Sequence, residues 1–209
     1  MKNRKIMIAV LNQGNIRIEL SAILHDFPWQ GKYEVMITYP NEKPISNNRN
    51  KIVQDFLARK EFDYLLMIDS DIVPPNNVLN LADFQKDIIS PVCFLYQKNV
   101  VAPLILKKDN QGMYAVARHT GNEGLVEVDA IGTGCIMLSR KVLEDVEAPF
   151  EDVFDKQGIR KYGLDLAFCR KAQAKGYRIY CHLDYLANHY VTLDLKKVYE
   201  SLNNIQNAI

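Results

Sequence analysis

Apolar and polar residues alternate along the first half of the chain in blocks that predict strands and helices in turn. Short apolar runs, such as residues 64–68, are typical of strands that are buried on both faces of a parallel sheet. Apolar residues at helical spacing, such as Ile52, Val53 and Phe56, indicate the buried face of a helix. The pattern predicts strands at 6–11, 33–38, 64–68 and 88–94, and helices at 16–25, 46–59 and 76–84.

This order of elements implies an α/β fold with a mainly parallel central sheet, because strands that alternate with helices are joined by right-handed crossovers. In the second half, three short strands joined by turns predict a small antiparallel excursion. Neither an internal repeat nor a low-complexity linker divides the chain, so we expect one Rossmann-like domain over residues 1–209. The second half is predicted to contain strands at 101–106, 114–118, 125–128, 131–138 and 177–181, and helices at 140–145, 164–175 and 193–206.

Length, composition and charge are those of an ordinary globular protein. The chain has 209 residues, of which 48% are hydrophobic and 24% are charged, and its formal net charge is +1. A net charge so close to zero gives no field that would attract nucleic acid. The sequence therefore carries no clear indication of a nucleic-acid partner, and it leaves the oligomeric state open.

The sequence also lacks the marks of a membrane segment and of a cysteine metal site. The apolar run after residue 5 is short and has no small-residue cleavage site, so it favours a first strand over a signal peptide. No apolar segment approaches the ~20 residues that a membrane span requires. The four cysteines are far apart and sit among apolar neighbours, which predicts buried, reduced thiols and a cytoplasmic location.

The strongest candidate for chemistry is Asp69-Ser70-Asp71, which directly follows the apolar run at 64–68. Ligands of open α/β sheets bind beyond the carboxyl ends of the strands, so both acids are expected at the ligand crevice. Two carboxylates one residue apart can reach one hard cation, directly or through water. A turn in which aspartates cap backbone groups is the plain alternative. A third interpretation is a phosphatase of the haloacid dehalogenase type, with Asp69 as the nucleophile and Asp71 as the acid and base.

A second candidate is the start of the helix predicted at 46–59, where Ser46 is expected to be the N-cap. First helical turns usually carry acids, because the N-terminus is the positive end of the helix dipole. This turn carries amides and Arg49 instead, a combination that suits a phosphate or a nucleobase. A solvated helix start, with Arg49 paired to a surface carboxylate, explains the same residues without a ligand.

Three features further along the chain are ambiguous when each is taken alone. Gly132 and Gly134 enter an apolar strand, where glycines either permit the close approach of a ligand or form a bulge. Asp165 lies in the first turn of a predicted helix, where it either complements the helix dipole or acts as a general base. His189 follows the last predicted strand, and a lone histidine there is more often a hydrogen-bonded loop residue than a ligand.

Taken in order, these segments resemble a glycosyltransferase of the GT-A type, close to the family 2-like group. The likeness spans about residues 5–190 and depends on the order and spacing of the segments rather than on one motif. The matching segments are the first strand with its loop (6–16), Asn48-Arg49-Asn50, the Asp-x-Asp strand (64–71), Gly132-Thr133-Gly134-Cys135, Asp165-x-x-Phe168-Cys169 and His189.

The resemblance implies a nucleotide-sugar donor, such as a UDP- or GDP-sugar, and a divalent cation. Asp71 and His189 would be metal ligands, and Asp69 would contact the metal or the ribose. Mixed oxygen and imidazole ligation suits Mn²⁺ slightly better than Mg²⁺. Residues 1–100 would form the donor half and 101–209 the acceptor half. The implied donor-binding residues are Arg49, Asn50, Asp69, Ser70 and Gly134.

On the acceptor side, the resemblance implies that Asp165 removes the proton from the acceptor hydroxyl, as in inverting members of the group. Those members often carry Glu-Asp at this point, whereas this chain has Leu164-Asp165, which keeps the base in place. Loops at 40–44 and 153–162 are candidates for excluding water from the donor. The remaining alternatives are the dehalogenase-type phosphatase and a relative that binds a nucleotide or a glycan without catalysis.

Overall fold

The computed structural model describes residues 4–97, 100–117 and 124–206. The predicted end of one strand, Arg118, lies outside these ranges. The helices are α1 (Ile18–Asp26), α2 (Ile45–Ala58), α3 (Arg140–Asp145), α4 (Leu164–Ala174) and α5 (Leu195–Gln206), with 3-10 helices at Phe27–Gln30 and Val78–Phe84. The strands are β1 (Lys5–Leu11), β2 (Glu34–Thr38), β3 (Tyr64–Asp69), β4 (Ile72–Val73), β5 (Ile88–Val92), β6 (Phe94–Gln97), β7 (Val100–Pro103), β8 (Ile105–Lys108), β9 (Tyr114–Val116), β10 (Leu125–Val128), β11 (Ala130–Ile131), β12 (Cys135–Ser139), β13 (Val153–Phe154), β14 (Arg160–Tyr162), β15 (Ile179–Leu186) and β16 (Asn188–His189).

A seven-stranded sheet with the order β10-β15-β5-β12-β3-β1-β2 forms the centre of the molecule. Strands β2, β1, β3, β5 and β15 run in one direction, whereas β12 and β10 run in the other. The small sheets β6-β7 and β11-β8-β9 form an antiparallel excursion. The predicted α/β fold with a mainly parallel sheet is therefore confirmed, with β12 as an antiparallel strand between β3 and β5.

Strand β3 lies inside the sheet and contributes side chains to a hydrophobic core on each face. Leu65 and Met67 pack into the core that contains apolar residues of α2, α3 and α4. Leu66 and Ile68 pack into the opposite core, which includes residues of α1. Because successive side chains of a strand point to opposite faces, a strand covered on both sides reads as an unbroken apolar run. This explains why residues 64–68 predicted the strand correctly.

The start of α2 differs from the prediction. The helix begins at Ile45, and its N-cap is Pro44, which has an extended backbone and makes no capping hydrogen bond. The expectation that Ser46 is the N-cap is therefore wrong. Proline fits this position because the N-cap residue has a non-helical backbone. The helix also needs no N–H group from the N-cap residue, and proline has none. As a result, Arg49 lies beyond the first helical turn.

Several other boundaries shift where the chain meets neighbouring elements. The helix predicted at 76–84 is a 3-10 helix, in which Val78 N donates to Pro75 O and Asn80 N donates to Asn77 O. The segment 132–134 separates β11 from β12, so the strand predicted at 131–138 is divided. β15 extends beyond its predicted end because it pairs with β5 on one side and β10 on the other.

The predicted state of the cysteines is confirmed. All four, Cys93, Cys135, Cys169 and Cys181, are free and buried. Burial in apolar surroundings raises the pKa of each thiol, so these groups are inert structural residues. Within the described ranges, none of the helices combines the length and the apolar character that crossing a membrane would demand.

Candidate active site

The segment Asp69-Ser70-Asp71 lies where β3 ends, and its backbone is tied to strands and loops from distant parts of the chain. These contacts fix the positions of both carboxylates at the carboxyl edge of the sheet, as the sequence predicts. The four backbone hydrogen bonds run from Asp69 N to Gly134 O (2.7 Å), from Ser70 N to Leu11 O (2.9 Å), from Arg17 N to Ser70 O (3.3 Å) and from Tyr190 N to Asp71 O (2.9 Å).

Arg49 is buried beneath the site and holds the first of the two acids. Its Nη2 donates to both carboxylate oxygens of Asp69, at 2.7 and 2.9 Å. Its Nη1 donates to the carbonyl oxygen of Thr133 at 3.0 Å. Burial raises the pKa of Asp69 to about 6, the charge of Arg49 opposes this rise, and the carboxylates of Asp165 and Asp71 add to it. Arg49 thus pairs with a partly buried acid of the site, and not with a surface carboxylate.

Asn50, the neighbour of Arg49, is also engaged within the protein. Its Nδ2 donates to the carbonyl oxygen of Phe150 at 2.7 Å, and its Oδ1 accepts from the backbone N of Phe150 at 3.0 Å. These two bonds tie α2 to the chain segment before β13. The donor-binding roles of Arg49 and Asn50 stay predictions, since the protein itself uses these polar groups.

Asp71 and His189 meet because the two-residue strands β4 and β16 pair, with Ile72 opposite His189. The Nε2 atom of His189 lies 3.6 Å from Oδ2 of Asp71, whose side chain is 53% exposed. The Nδ1 atom of His189 lies 2.5 Å from the carbonyl oxygen of Phe94. A carbonyl can only accept, so Nδ1 is the ring nitrogen that donates, and Nε2 is the one that faces Asp71.

Carboxylate oxygen and imidazole nitrogen, the two atom types of this pair, are both ligands that divalent cations accept in proteins. Metal-binding histidines commonly donate their second ring N–H to a backbone carbonyl, as His189 does to Phe94. Mg²⁺ and related cations are often bound by one or two carboxylates while substrate phosphates supply further ligands. Among the described residues, no group of three or more His, Cys, Asp or Glu side chains could hold a metal. The structure therefore brings together Asp71 and His189, while Asp69 is bound to Arg49.

Asp165 reaches the same edge of the sheet from the first turn of α4. Its Oδ1 accepts a hydrogen bond from the hydroxyl of Thr133, a fully buried residue. The N-cap of α4 is Gly163, which has no side chain to compete for the free N–H groups of the helix. Sequence reasoning did not assign Thr133 a role, and its only signal was its position between two glycines.

Two cavities meet at Ser70 and Asp71. The larger, about 570 Å³, opens toward Arg17 and Tyr190, where the guanidinium carbon lies 3.9 Å from the ring centroid. The smaller, about 330 Å³, extends to Asn48, which is 1% exposed. Nδ2 of Asn48 donates to a backbone carbonyl, whereas its buried Oδ1 has no partner among the residues that the structure describes. An unpaired buried acceptor is costly, so this cavity suits a ligand that brings an N–H or O–H group.

Comparison with known proteins supports the fold. No protein-family model matches the sequence, and no curated protein matches it. The structure of A197 from STIV is similar, with a TM-score of 0.60 and 21% identity over 90% of this chain and 86% of that chain. A structure of GalNAc-T7 with UDP, GalNAc and Mn²⁺ is also similar, with a TM-score of 0.53 and 11% identity over 91% of this chain and 44% of that chain.

At such low identities the similarity shows the fold and not the function. The predicted GT-A-like fold is confirmed: a mainly parallel central sheet with flanking helices and small antiparallel sheets. Because one fold carries many chemistries, the function has to be argued from the site.

Proposed function

We propose that this protein is a metal-dependent glycosyltransferase of the family 2-like group, which moves a sugar from a nucleoside-diphosphate donor to an acceptor hydroxyl. The observation that carries the proposal is the pairing of Asp71 with a histidine whose free nitrogen faces it, at the junction of two cavities. We take residues 1–100 as the donor half, residues 101–209 as the acceptor half and the cytoplasm as the location.

The donor nucleoside would occupy the smaller cavity beside Ser70. Its base or ribose would donate to the unpaired Oδ1 of Asn48. Gly134 leaves room beside the first acid, since a Cβ atom there would lie 3.4 Å from Oδ2 of Asp69. Arg49 and Asn50 then support the donor site from beneath, through Asp69 and Phe150, rather than by contacting the phosphates.

Asp71 and His189 would hold Mn²⁺ or Mg²⁺, with the remaining ligands from the diphosphate of the donor. When bound, the cation supplies charge neutralisation for the departing diphosphate. The chain supplies a fixed imidazole orientation through Phe94. It also limits the repulsion between the acids and the donor, because the charge of Asp69 is balanced by Arg49.

Asp165 would accept the proton of the acceptor hydroxyl as the sugar is transferred. One of its oxygens is occupied by the hydroxyl of Thr133, and the other is left for the acceptor. A positioned general base contributes about 10²–10⁴-fold to the rate. Attack by a hydroxyl that this base activates, on the face opposite the diphosphate, gives an inverting transfer.

The geometry disfavours the dehalogenase-type phosphatase. That mechanism requires Asp69 to attack phosphorus, yet both of its carboxylate oxygens accept hydrogen bonds from Arg49. Attack would have to break this ion pair and leave a guanidinium that is 3% exposed without its partner. The cost of such a step favours a role for Asp69 as a fixed anion.

Thermal unfolding with UDP or GDP, each with and without Mn²⁺, tests the proposal. A ligand that binds only the folded state raises Tm, so the nucleotide should stabilise the protein when Mn²⁺ is present and lose this effect in EDTA. The variant Asp71→Asn should lose the metal-dependent increase, whereas the exposed control Asp55→Asn should keep it. Release of the nucleotide from UDP-glucose and GDP-mannose then reports turnover. A wild-type protein that binds no nucleotide with Mn²⁺ contradicts the proposal, and binding without any turnover favours the non-catalytic relative.

A further inference from the structure

The segment Gly132-Thr133-Gly134 crosses the site between β11 and β12, and both glycines lie close to neighbouring side chains. A Cβ atom at Gly132 would lie 2.5 Å from Cδ2 of Leu104. A Cβ atom at Gly134 would lie 3.3 Å from Cγ1 of Ile72 and would crowd the carboxylate of the first site acid. The segment is therefore pressed against its neighbours on both sides, and its one functional side chain is that of Thr133.

Thr133 connects the donor side of the site to the acceptor side. Its carbonyl oxygen accepts a hydrogen bond of 3.0 Å from Nη1 of Arg49, and the same guanidinium holds Asp69. Its hydroxyl donates to Oδ1 of Asp165. The residue is 0% exposed, so neither of its polar groups can exchange its partner for water without opening the site.

We infer that Thr133 is the positioning residue for Asp165. A carboxylate in the first turn of a helix can rotate toward solvent or bond to the free N–H groups of its own helix. The hydroxyl of Thr133 instead holds one oxygen of Asp165 inside the site, so the other oxygen faces the acceptor. The inference rests on the proposed function, because it assigns Asp165 the role of the general base.

A matched pair of substitutions separates this role from simple packing. Thr133→Val keeps the shape of the side chain and removes the hydroxyl, whereas Thr133→Ser keeps the hydroxyl and removes a buried methyl group. If Thr133 only fills space, the serine variant should be the more damaged one. If it positions Asp165, the valine variant should lose activity and the serine variant should retain it.

The assay is nucleotide release from UDP-glucose and GDP-mannose with Mn²⁺, with water and free monosaccharides as acceptors. We expect kcat of Thr133→Val to fall by about 10²-fold, the loss that a small misplacement of a catalytic group produces. KM for the donor and the affinity for UDP or GDP with Mn²⁺ should not change, because the hydroxyl does not face the donor. Thr133→Ser should keep kcat within about threefold of the wild type, as expected when the hydrogen bond survives.

Two results would overturn the inference while leaving the proposed function intact. One is a Thr133→Val variant with wild-type kcat, and the other is equal loss of kcat in the valine and serine variants. A wild-type protein with no metal-dependent nucleotide binding and no release would overturn both proposals. If Thr133→Val does not fold, the pair Thr133→Ser and Thr133→Ala differs by the hydroxyl alone and gives the same comparison.

Discussion

Both carboxylate oxygens of Asp69 accept hydrogen bonds from one nitrogen of Arg49, at 2.7 and 2.9 Å. The second acid of the motif, Asp71, has a different environment, since it is 53% exposed and faces His189. Two aspartates that are separated by a single residue therefore have different partners and different exposure. The first is an anion paired with Arg49 inside the protein, and the second is the acid that the proposed function assigns to the cation.

Replacement of Arg49 with Met should lower the free energy of unfolding by about 3 kcal/mol. This is at the low end of the range for breaking a buried pair, because the side chain of Asp69 is 30% exposed. Urea unfolding followed by circular dichroism measures the loss. Adding Asp69→Asn to this variant should restore part of the stability, because it removes the unpaired charge. The exposed control Arg59→Met should stay within about 0.5 kcal/mol of the wild type, and wild-type stability of Arg49→Met would contradict the argument.

Replacement of His189 with Gln should weaken the Mn²⁺-dependent binding of UDP or GDP by at least about tenfold, because even outer partners of metal ligands contribute about 10–100-fold. Isothermal titration with and without Mn²⁺ measures this change. His25, whose side chain is 78% exposed, provides the matched control His25→Gln. Equal affinities of the two variants would remove His189 from the metal site.

The two glycines beside Thr133 should respond differently to alanine. Gly134→Ala places a methyl group 3.4 Å from Oδ2 of Asp69 and should mainly reduce metal-dependent nucleotide binding. Gly132→Ala places one 2.5 Å from Leu104 and should mainly reduce stability, by about 1 kcal/mol. Nucleotide titration and urea unfolding of both variants test this difference. Loss of nucleotide binding alone in both variants, or loss of stability alone in both, would contradict the prediction.

Replacement of Asp165 with Asn should reduce the turnover number for nucleotide release by about 10²–10⁴-fold, the usual contribution of a general base. The affinity for UDP or GDP with Mn²⁺ should be unchanged, because the proposed function assigns Asp165 to the acceptor and not to the donor. Steady-state release combined with nucleotide titration separates the two quantities. An Asp165→Asn variant with wild-type turnover would require another base.

His182 should make folding stability fall as the pH is lowered below about 6.5, the ordinary pKa of histidine, whereas the raised pKa of Asp69 acts in the opposite direction. Burial lowers the pKa of His182, which packs against Phe84 and Tyr185, although the nearby Asp184 opposes the shift. Between the two pKa values the unfolded chain binds a proton that the folded protein does not, so folding stability is present above this range and is lost toward lower pH. Urea unfolding from pH 7.5 to pH 5 measures the slope.

The variant His182→Phe should lose less stability than the wild type over this pH range, since phenylalanine does not titrate. The exposed control His25→Gln should leave the slope unchanged. If the wild type and His182→Phe lose stability in parallel as the pH falls, other groups cause the pH dependence.

The elements that the sequence predicted well are those whose signal is local. The apolar run of β3 predicts that the strand is buried. The acids that follow it are predicted at the ligand crevice, because ligands of parallel sheets bind beyond the carboxyl ends of the strands. By contrast, the partner of Arg49 is set by how α2 packs beside β3, and no local pattern specifies it. The same holds for Thr133 and Asp165, which are joined only because the antiparallel strand β12 begins at the site edge.

The proposed cation site illustrates the same limit. Asp71 and His189 were expected together because of a family resemblance, whereas their contact depends on two strands of two residues each, β4 and β16. Strands so short leave almost no periodic signal. The hydrogen bond from His189 to Phe94 lies equally beyond sequence reasoning, because it joins residues far apart in the chain.

The ties of the site to both β1 and β16 also determine when it can first exist in the cell. Ser70 N donates to the carbonyl oxygen of Leu11, which is synthesised before it, whereas the carbonyl oxygen of Asp71 accepts from Tyr190 N, which is synthesised long after it. A ribosome-bound chain that has not yet extruded β16 has no imidazole beside Asp71. The growing polypeptide therefore lacks the proposed cation site until β16 has emerged from the ribosome.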